Sequence, residues 1–274
     1  MPEINTNISK DRISKGQASF LKHQKFKRRI ITFFRIALFI IFIAAWEIGV
    51  RLDVINDFIF SSPSRIVRTF IDMCMNGDIF IHSAVTLSET MLSFLLVLFV
   101  GIVFAILLWM SDTFSKIMEP YLVILNSLPK SALAPVLIVW LGNNPKTIIV
   151  TAVSIAVFGT IINLYTSFAE IDPEKIKLIR MLGGSRLDVL FRLILPSSLP
   201  IIISTAKVNI GLCLVGVIIG EFLAARRGLG FLIIYGSQTF KMNWVLMSIT
   251  LLCIIAGLLY WGIGLLEKKL HANY

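Results

Sequence analysis

Charge is scarce in this chain of 274 residues: Asp, Glu, Lys and Arg together make up 15%, where a soluble globular domain carries closer to a quarter. With 57% hydrophobic residues and a mean hydropathy of +0.85, that shortage excludes a water-soluble globular enzyme. Acidic residues are the rarer sign, 16 against 26 basic, for a net charge of +10. In such a chain the placement of Lys and Arg speaks to membrane topology rather than to nucleic acid, and no nucleic-acid partner is expected. Cysteine is equally thin. Cys74, Cys213 and Cys253 stand far apart, so neither a disulfide framework nor metal-ligand spacing is present. His23, His82 and His271 are solitary, so no metal and no cofactor is expected. No Gly-rich phosphate loop followed by Lys and Ser or Thr occurs, so the chain is not expected to hydrolyse ATP. No serine shares a span with a histidine that could serve as its base.

What the chain does have is long apolar runs. A spanning helix needs about 20 mostly apolar residues, and six stretches qualify: 30–50, 84–110, 120–142, 147–169, 198–224 and 244–266. These continuous runs lack the alternation of a membrane β-barrel. The fold class expected is therefore all-α and polytopic, with six transmembrane helices. The polar segment before the first run, residues 1–29, is too long and too charged for a cleavable signal and reads as a basic tail that contacts anionic lipid. With the N-terminus inside, sixteen Lys and Arg fall on the cytoplasmic side and seven outside. Both termini are expected in the cytoplasm.

Charged residues inside the spans usually face a cavity or a partner. Glu47, Glu89 and Glu221 lie near outer helix ends, where snorkelling would explain Glu47 and Glu221. Lys130 and Lys207 lie deeper. Two readings stand: Lys207, with Lys130, lines a translocation pathway that favours an anionic group, with Glu89 and Glu221 as further candidates, or these residues form internal ion pairs. Pro129 and Pro135 predict a kinked or broken third span. Gly211, Gly216 and Gly220 predict close helix packing in the fifth.

The segment 170–196 is charged, internal and patterned as helix. Ile176, Ile179, Leu187, Leu190 and Ile194 share a stripe with Gly183 on it. Asp172, Pro173 and Glu174 supply a cap, a helix-starting proline and an early acid. Gly183 and Gly184 should divide the segment, and Pro196 should end its second helix. The pattern suits a docking element for a cytoplasmic protein or a helix lying on lipid headgroups.

Gly183, Leu195 and Pro196 match, at the same spacings, the loop by which permease subunits of binding-protein-dependent ABC importers engage their ATPases. That loop reads Glu-Ala-Ala, three residues, Gly, nine residues, Ile, one residue, Leu-Pro; here Lys177, Leu178 and Ile179 stand at the Glu-Ala-Ala positions and Leu193 at the Ile. Ser62-Pro63-Ser64, Leu128-Pro129, Ala134-Pro135, Trp140-Leu-Gly142, Gly220-Glu221 and Gly228-Leu-Gly230-Phe231 follow in the order of the nitrate, sulfonate and taurine branch. The chain thus resembles a type I ABC importer permease over roughly residues 60–270. The resemblance implies a multi-pass protein of the bacterial inner membrane that carries a small solute, a nitrate-, sulfonate- or taurine-like anion or a vitamin precursor. It implies a cytoplasmic ABC ATPase as partner, an extracytoplasmic solute-binding protein, and a second permease copy in a homodimer. Glu174, Lys177, Gly183, Arg186, Leu187 and Pro196 are its expected ATPase-coupling residues. An ATP-independent channel or secondary carrier is the alternative, for which inverted repeats are not evident.

Overall fold

The computed structural model describes residues 15–271, helical throughout apart from short connections. In chain order the helices are α1 (Lys15–Arg51), α2 (Asp57–Phe60), α3 (Pro63–Met75), α4 (Asp78–Met110), α5 (Asp112–Ser127), α6 (Lys130–Leu141), α7 (Pro145–Ala169), α8 (Pro173–Met181), α9 (Arg186–Val189), a π turn (Leu190–Ile194), α10 (Leu195–Ala224), α11 (Leu229–Gln238) and α12 (Met242–His271). Two compact units result, Met1–Ser64 and Arg65–Tyr274.

In the first unit, α1 continues the first apolar run backwards into the basic segment, so residues 15–29 of the basic tail are helical; residues 1–14 of that segment lie outside the described residues. Phe33, Phe34, Leu38 and Phe42 are exposed along α1, as suits a helix surrounded by lipid. Glu47 does not snorkel freely: it pairs with Arg51 at 2.9 Å and accepts the Ser64 amide at 3.1 Å.

In the second unit, α7 packs between α4 and α10. Small residues set the spacing. A methyl group on Gly216 would come within 2.6 Å of the Ala152 Cα, and one on Gly220 within 2.9 Å of the Ile148 Cα, so both helices approach backbone to backbone. Gly211 faces open space and takes no part. Phe94, Val97, Ala156, Ile210 and Cys213 form one buried layer, and Ala105, Leu164, Phe168, Val189, Leu190 and Ile194 another.

Five helices are long and apolar enough to span a membrane, and α5 with α6 makes a sixth span broken by 95°. The break falls at Leu128 and Pro129, where no continuous ladder of helical hydrogen bonds can form, while Pro135 sits inside α6. Asn144 starts α7 by accepting the Lys146 and Thr147 amides, with Pro145 at the first position.

Pro196 does not end a helix. The π turn before it sends the Leu195 amide to the Leu190 carbonyl, and this wider turn admits a residue without an N–H where a regular α-turn would lose a bond. Helix therefore runs without interruption from Arg186 to Ala224. A further difference lies in the connection between the last two spans: it is largely the apolar helix α11, packed on α12.

Candidate functional site

Two places gather the expected residues. The first is the hairpin α8–α9. Asp172 accepts the Glu174 amide at 2.9 Å and opens α8. α8 closes with paired bonds from the Gly184 amide to the Ile179 carbonyl (2.9 Å) and from the Gly183 amide to the Arg180 carbonyl (3.0 Å), the double closure of a Schellman turn. Gly183 has φ +82°, so an L side chain there is strained. The two glycines play different parts: Gly183 opens onto empty space, whereas a methyl on Gly184 would lie 2.8 Å from the Ile179 carbonyl oxygen. α9 opens with a capping box, Ser185 and Asp188 satisfying each other's amides.

The hairpin is anchored by its inward stripe. Ile176 and Ile179 pack on the layer that holds Val189, Leu190 and Ile194. Arg186 reinforces the anchor: its guanidinium donates to the Trp109 carbonyl at 3.0 Å, pairs with Asp112 at 3.1 Å and lies over the Trp109 ring. Arg186 thus serves this chain's own α4–α5 corner. Leu187, expected on the buried stripe, is 55% exposed instead, because the Gly183–Gly184 turn interrupts the helical period and the helix that follows turns Val189 and Leu190 inward. Leu178 and Met181 of α8 and Leu182 at its end are exposed as well, the last two by 83% and 80%. Sequence periodicity missed this apolar edge, since it lies off the stripe that packs inward. Glu174 and Lys177 flank it, also exposed, whereas Pro196 is half-buried and belongs to α10.

The second place is a polar knot joining α4, α10 and α11. Glu221 is 1% exposed, so it does not snorkel. Its carboxylate accepts from the Thr86 hydroxyl at 2.7 Å and from the Gly230 amide at 2.6 Å. Thr86 in turn accepts the Leu229 amide, and His82 Nδ1 accepts the Gly228 amide at 2.9 Å. The free amides at the start of α11 thus supply the donors that a buried carboxylate requires. A side chain on Gly228 would collide with the Glu221 carboxylate, and one on Gly230 would come within 2.8 Å of it, which explains the Gly-Leu-Gly spacing physically. Glu89, also buried, meets Glu221 carboxyl to carboxyl.

The deep lysines lie apart from the knot. Lys130 stands at the first position of α6, beside the break, and donates to the Ile155 carbonyl (2.9 Å) and Asn126 (3.0 Å). Lys207 pairs with Glu267 on α12 and lies near the Tyr260 ring.

An all-helical bundle of broken and unbroken spans, with an anchored polar hairpin before the fifth, is the architecture of a polytopic membrane protein. The chain belongs to the family of binding-protein-dependent transport system inner membrane components, whose model matches residues 97–271. It is similar to the putative aliphatic sulfonates transport permease protein SsuC of Bacillus subtilis, 26% identical over 84% of this chain and 83% of the relative. The taurine transport system permease protein TauC of Escherichia coli is 25% identical over 84% and 86%. Among solved structures, the inward-facing MetNI methionine ABC transporter superposes with a TM-score of 0.61 at 19% identity, covering 68% of this chain and 92% of that one. The fold is therefore that of an ABC importer permease. The protein is a multi-pass component of the bacterial plasma membrane that works with a binding protein and an ATPase.

Proposed function

We propose that the chain conducts a small solute while a separate ATPase, docked on the α8–α9 hairpin, supplies the energy. The observation that carries this reading is the exposure of four large apolar side chains, Leu178, Met181, Leu182 and Leu187, on an anchored hairpin, since large apolar side chains left exposed on a charged segment mark a protein interface. Gly183 leaves room for a partner to approach the turn. In this reading the hairpin faces the cytoplasm with both termini, Glu174 and Lys177 form the polar rim of the interface, and Arg186 positions the hairpin from behind.

A second copy of the chain completes the pathway, and nucleotide-driven closure of two ATPases moves the paired hairpins and rocks the spans between inward- and outward-facing states. The chain does not itself hydrolyse ATP. The names of its relatives, which include sulfonate, taurine and nitrate permeases, support a small anionic or zwitterionic solute. The Lys207–Glu267 pair holds α10 to α12, and Lys130 caps the broken span at the Ile155 carbonyl.

The test is affinity purification of the tagged chain from its native membrane. The wild type brings ATP hydrolysis with it, and Leu182→Asp inserts normally but purifies without ATPase activity. A Leu182→Asp protein that retains full associated ATPase activity contradicts the docking assignment.

A further inference from the structure

Three stripes divide the surface of α3, because residues three and four apart share a helix face. Ile66, Thr69 and Met73 make the first, which attaches the helix to the bundle. The Asn243 side-chain amide donates to the Thr69 hydroxyl at 2.8 Å, and Ile66 and Met73 join the cluster that holds Ile79, Leu229 and Met247. Val67, Phe70 and Ile71 make the second stripe, all of them exposed. Arg65, Arg68 and Asp72 make the third, exposed as well. A helix on a water-washed loop needs one apolar face and one polar face, so the second apolar stripe calls for an explanation. Depth supplies it. Asn243 lies in the first turn of α12 and Ile79 in the first turn of α4, which sets α3 level with the ends of two spans. Phe80 and Ile81 in that turn of α4 are exposed too, so apolar surface begins at the same level. α3 is not packed lengthwise along any other helix. Its 13 residues make about 20 Å of helix, too short to cross a hydrocarbon core of about 30 Å.

We propose that α3 is a lipid-binding helix that lies in the membrane–water interface at the outer ends of α4 and α12. Val67, Phe70 and Ile71 dip among the acyl chains, while Arg65, Arg68 and Asp72 stay among headgroups and water. A lipid surface meets both exposed stripes at once, since it offers hydrocarbon and anionic phosphate side by side along the length of a helix. The two basic residues among the three of the charged stripe suit that phosphate. The apolar stripe is too narrow to read as a span in the sequence, because charged residues interrupt it at every turn. Through Thr69 and Met73 the helix holds the first turns of α4 and α12 at one depth. This surface is separate from the α8–α9 hairpin and stands apart from the ATPase assignment. The choice of the outer leaflet rests on the reading that places both termini in the cytoplasm.

The experiment uses the full chain purified with its associated proteins in nanodiscs of phosphatidylethanolamine and phosphatidylglycerol. Val67→Cys, Arg68→Cys, Phe70→Cys, Ile71→Cys and Asp72→Cys are made singly in a chain carrying Cys74→Ala, Cys213→Ala and Cys253→Ala, and each is spin-labelled. Collisions of the label with oxygen, which enters lipid, are compared with those of a nickel chelate, which stays in water. The ratio of oxygen to nickel access is expected to oscillate with a period of about 3.6 residues, high at positions 67, 70 and 71 and low at 68 and 72. High nickel access at all five positions places α3 in water and overturns the proposal. Low access to both reagents at 67, 70 and 71 shows a protein cover, a second copy or a binding protein, and overturns it equally. The unlabelled wild-type chain gives an independent reading where a label disturbs insertion. Phosphatidylglycerol with a photoactivatable group in its acyl chain should cross-link to Val67, Phe70 or Ile71 as it does to α1; cross-links on α1 and none on α3 overturn the proposal. Treatment of Asp72→Cys in intact cells with a membrane-impermeant maleimide reports the leaflet separately. Labelling there supports the outer side, and labelling only after permeabilisation contradicts the topology, while the oxygen and nickel pattern tests the lipid contact by itself.

Discussion

Arg186 and Trp109, 77 residues apart in the chain, are joined twice: the guanidinium donates to the Trp109 carbonyl at 3.0 Å and lies 5.5 Å from the centroid of its ring. The helix that opens the fifth span is thereby tied to the last turn of α4. Buried Val189, Leu190 and Ile194 continue the same attachment. In the proposed reading, a push on the α8–α9 hairpin would reach the bundle through this joint, because packed side chains transmit displacement.

Removal of the joint should therefore cost coupling more than folding. Arg186→Ala is expected to insert normally and keep its associated ATPase while solute uptake per ATP hydrolysed falls about tenfold or more. Arg186→Lys keeps the charge but loses the flat guanidinium on the ring and should recover only part of the loss. The ratio of uptake to hydrolysis in proteoliposomes measures this directly.

Gly183 and Gly184 should respond differently to alanine. At Gly183 the positive φ makes Gly183→Ala cost about 1–2 kcal/mol with no clash. At Gly184 the added methyl meets the Ile179 carbonyl at 2.8 Å, so the turn itself must open. Hydrogen exchange across α8 should rise modestly in Gly183→Ala and strongly in Gly184→Ala.

Glu221 is a structural acid in a site with little tolerance. Glu221→Ala leaves the Gly230 amide and the Thr86 hydroxyl without their acceptor and is expected to destabilise by about 3–5 kcal/mol. Thermal unfolding in detergent should show a fall of several degrees, with Gly228→Ala similarly affected because its methyl would occupy the carboxylate's place.

The Lys207–Glu267 pair separates a structural role from a pathway role. Lys207→Met alone leaves Glu267 without this partner in a partly buried position and should reduce stability. Adding Glu267→Gln should restore much of the loss, and uptake with it. Restored stability with uptake still abolished would instead place Lys207 on the solute's route.

Much of this architecture was legible in the linear chain. Uninterrupted apolar runs mark the spans because lipid admits no unpaired backbone, and the Asp172–Pro173–Glu174 start and the paired glycines of the hairpin are local signals that act within a turn of helix. Other features depended on distant contacts. Glu221 looks like an interfacial acid until α11 folds back and presents Gly230. Arg186 looks available to a partner until Trp109 and Asp112 take its guanidinium. Pro196 looks like a stop until the π turn absorbs it. The outward edge of Met181 and Leu182 was hidden for a related reason: helical periodicity marks the face that packs, and residues beside a glycine turn leave that period.

The sidedness and occupancy of that edge decide the account most directly. A cysteine placed at Leu182, in a chain otherwise lacking Cys74, Cys213 and Cys253, is treated in intact cells with a membrane-impermeant maleimide and then, after permeabilisation, with a short bifunctional cross-linker. No labelling is expected before permeabilisation, and a cross-link to an ATP-hydrolysing subunit is expected after it. Efficient labelling of Leu182→Cys from outside intact cells would contradict it.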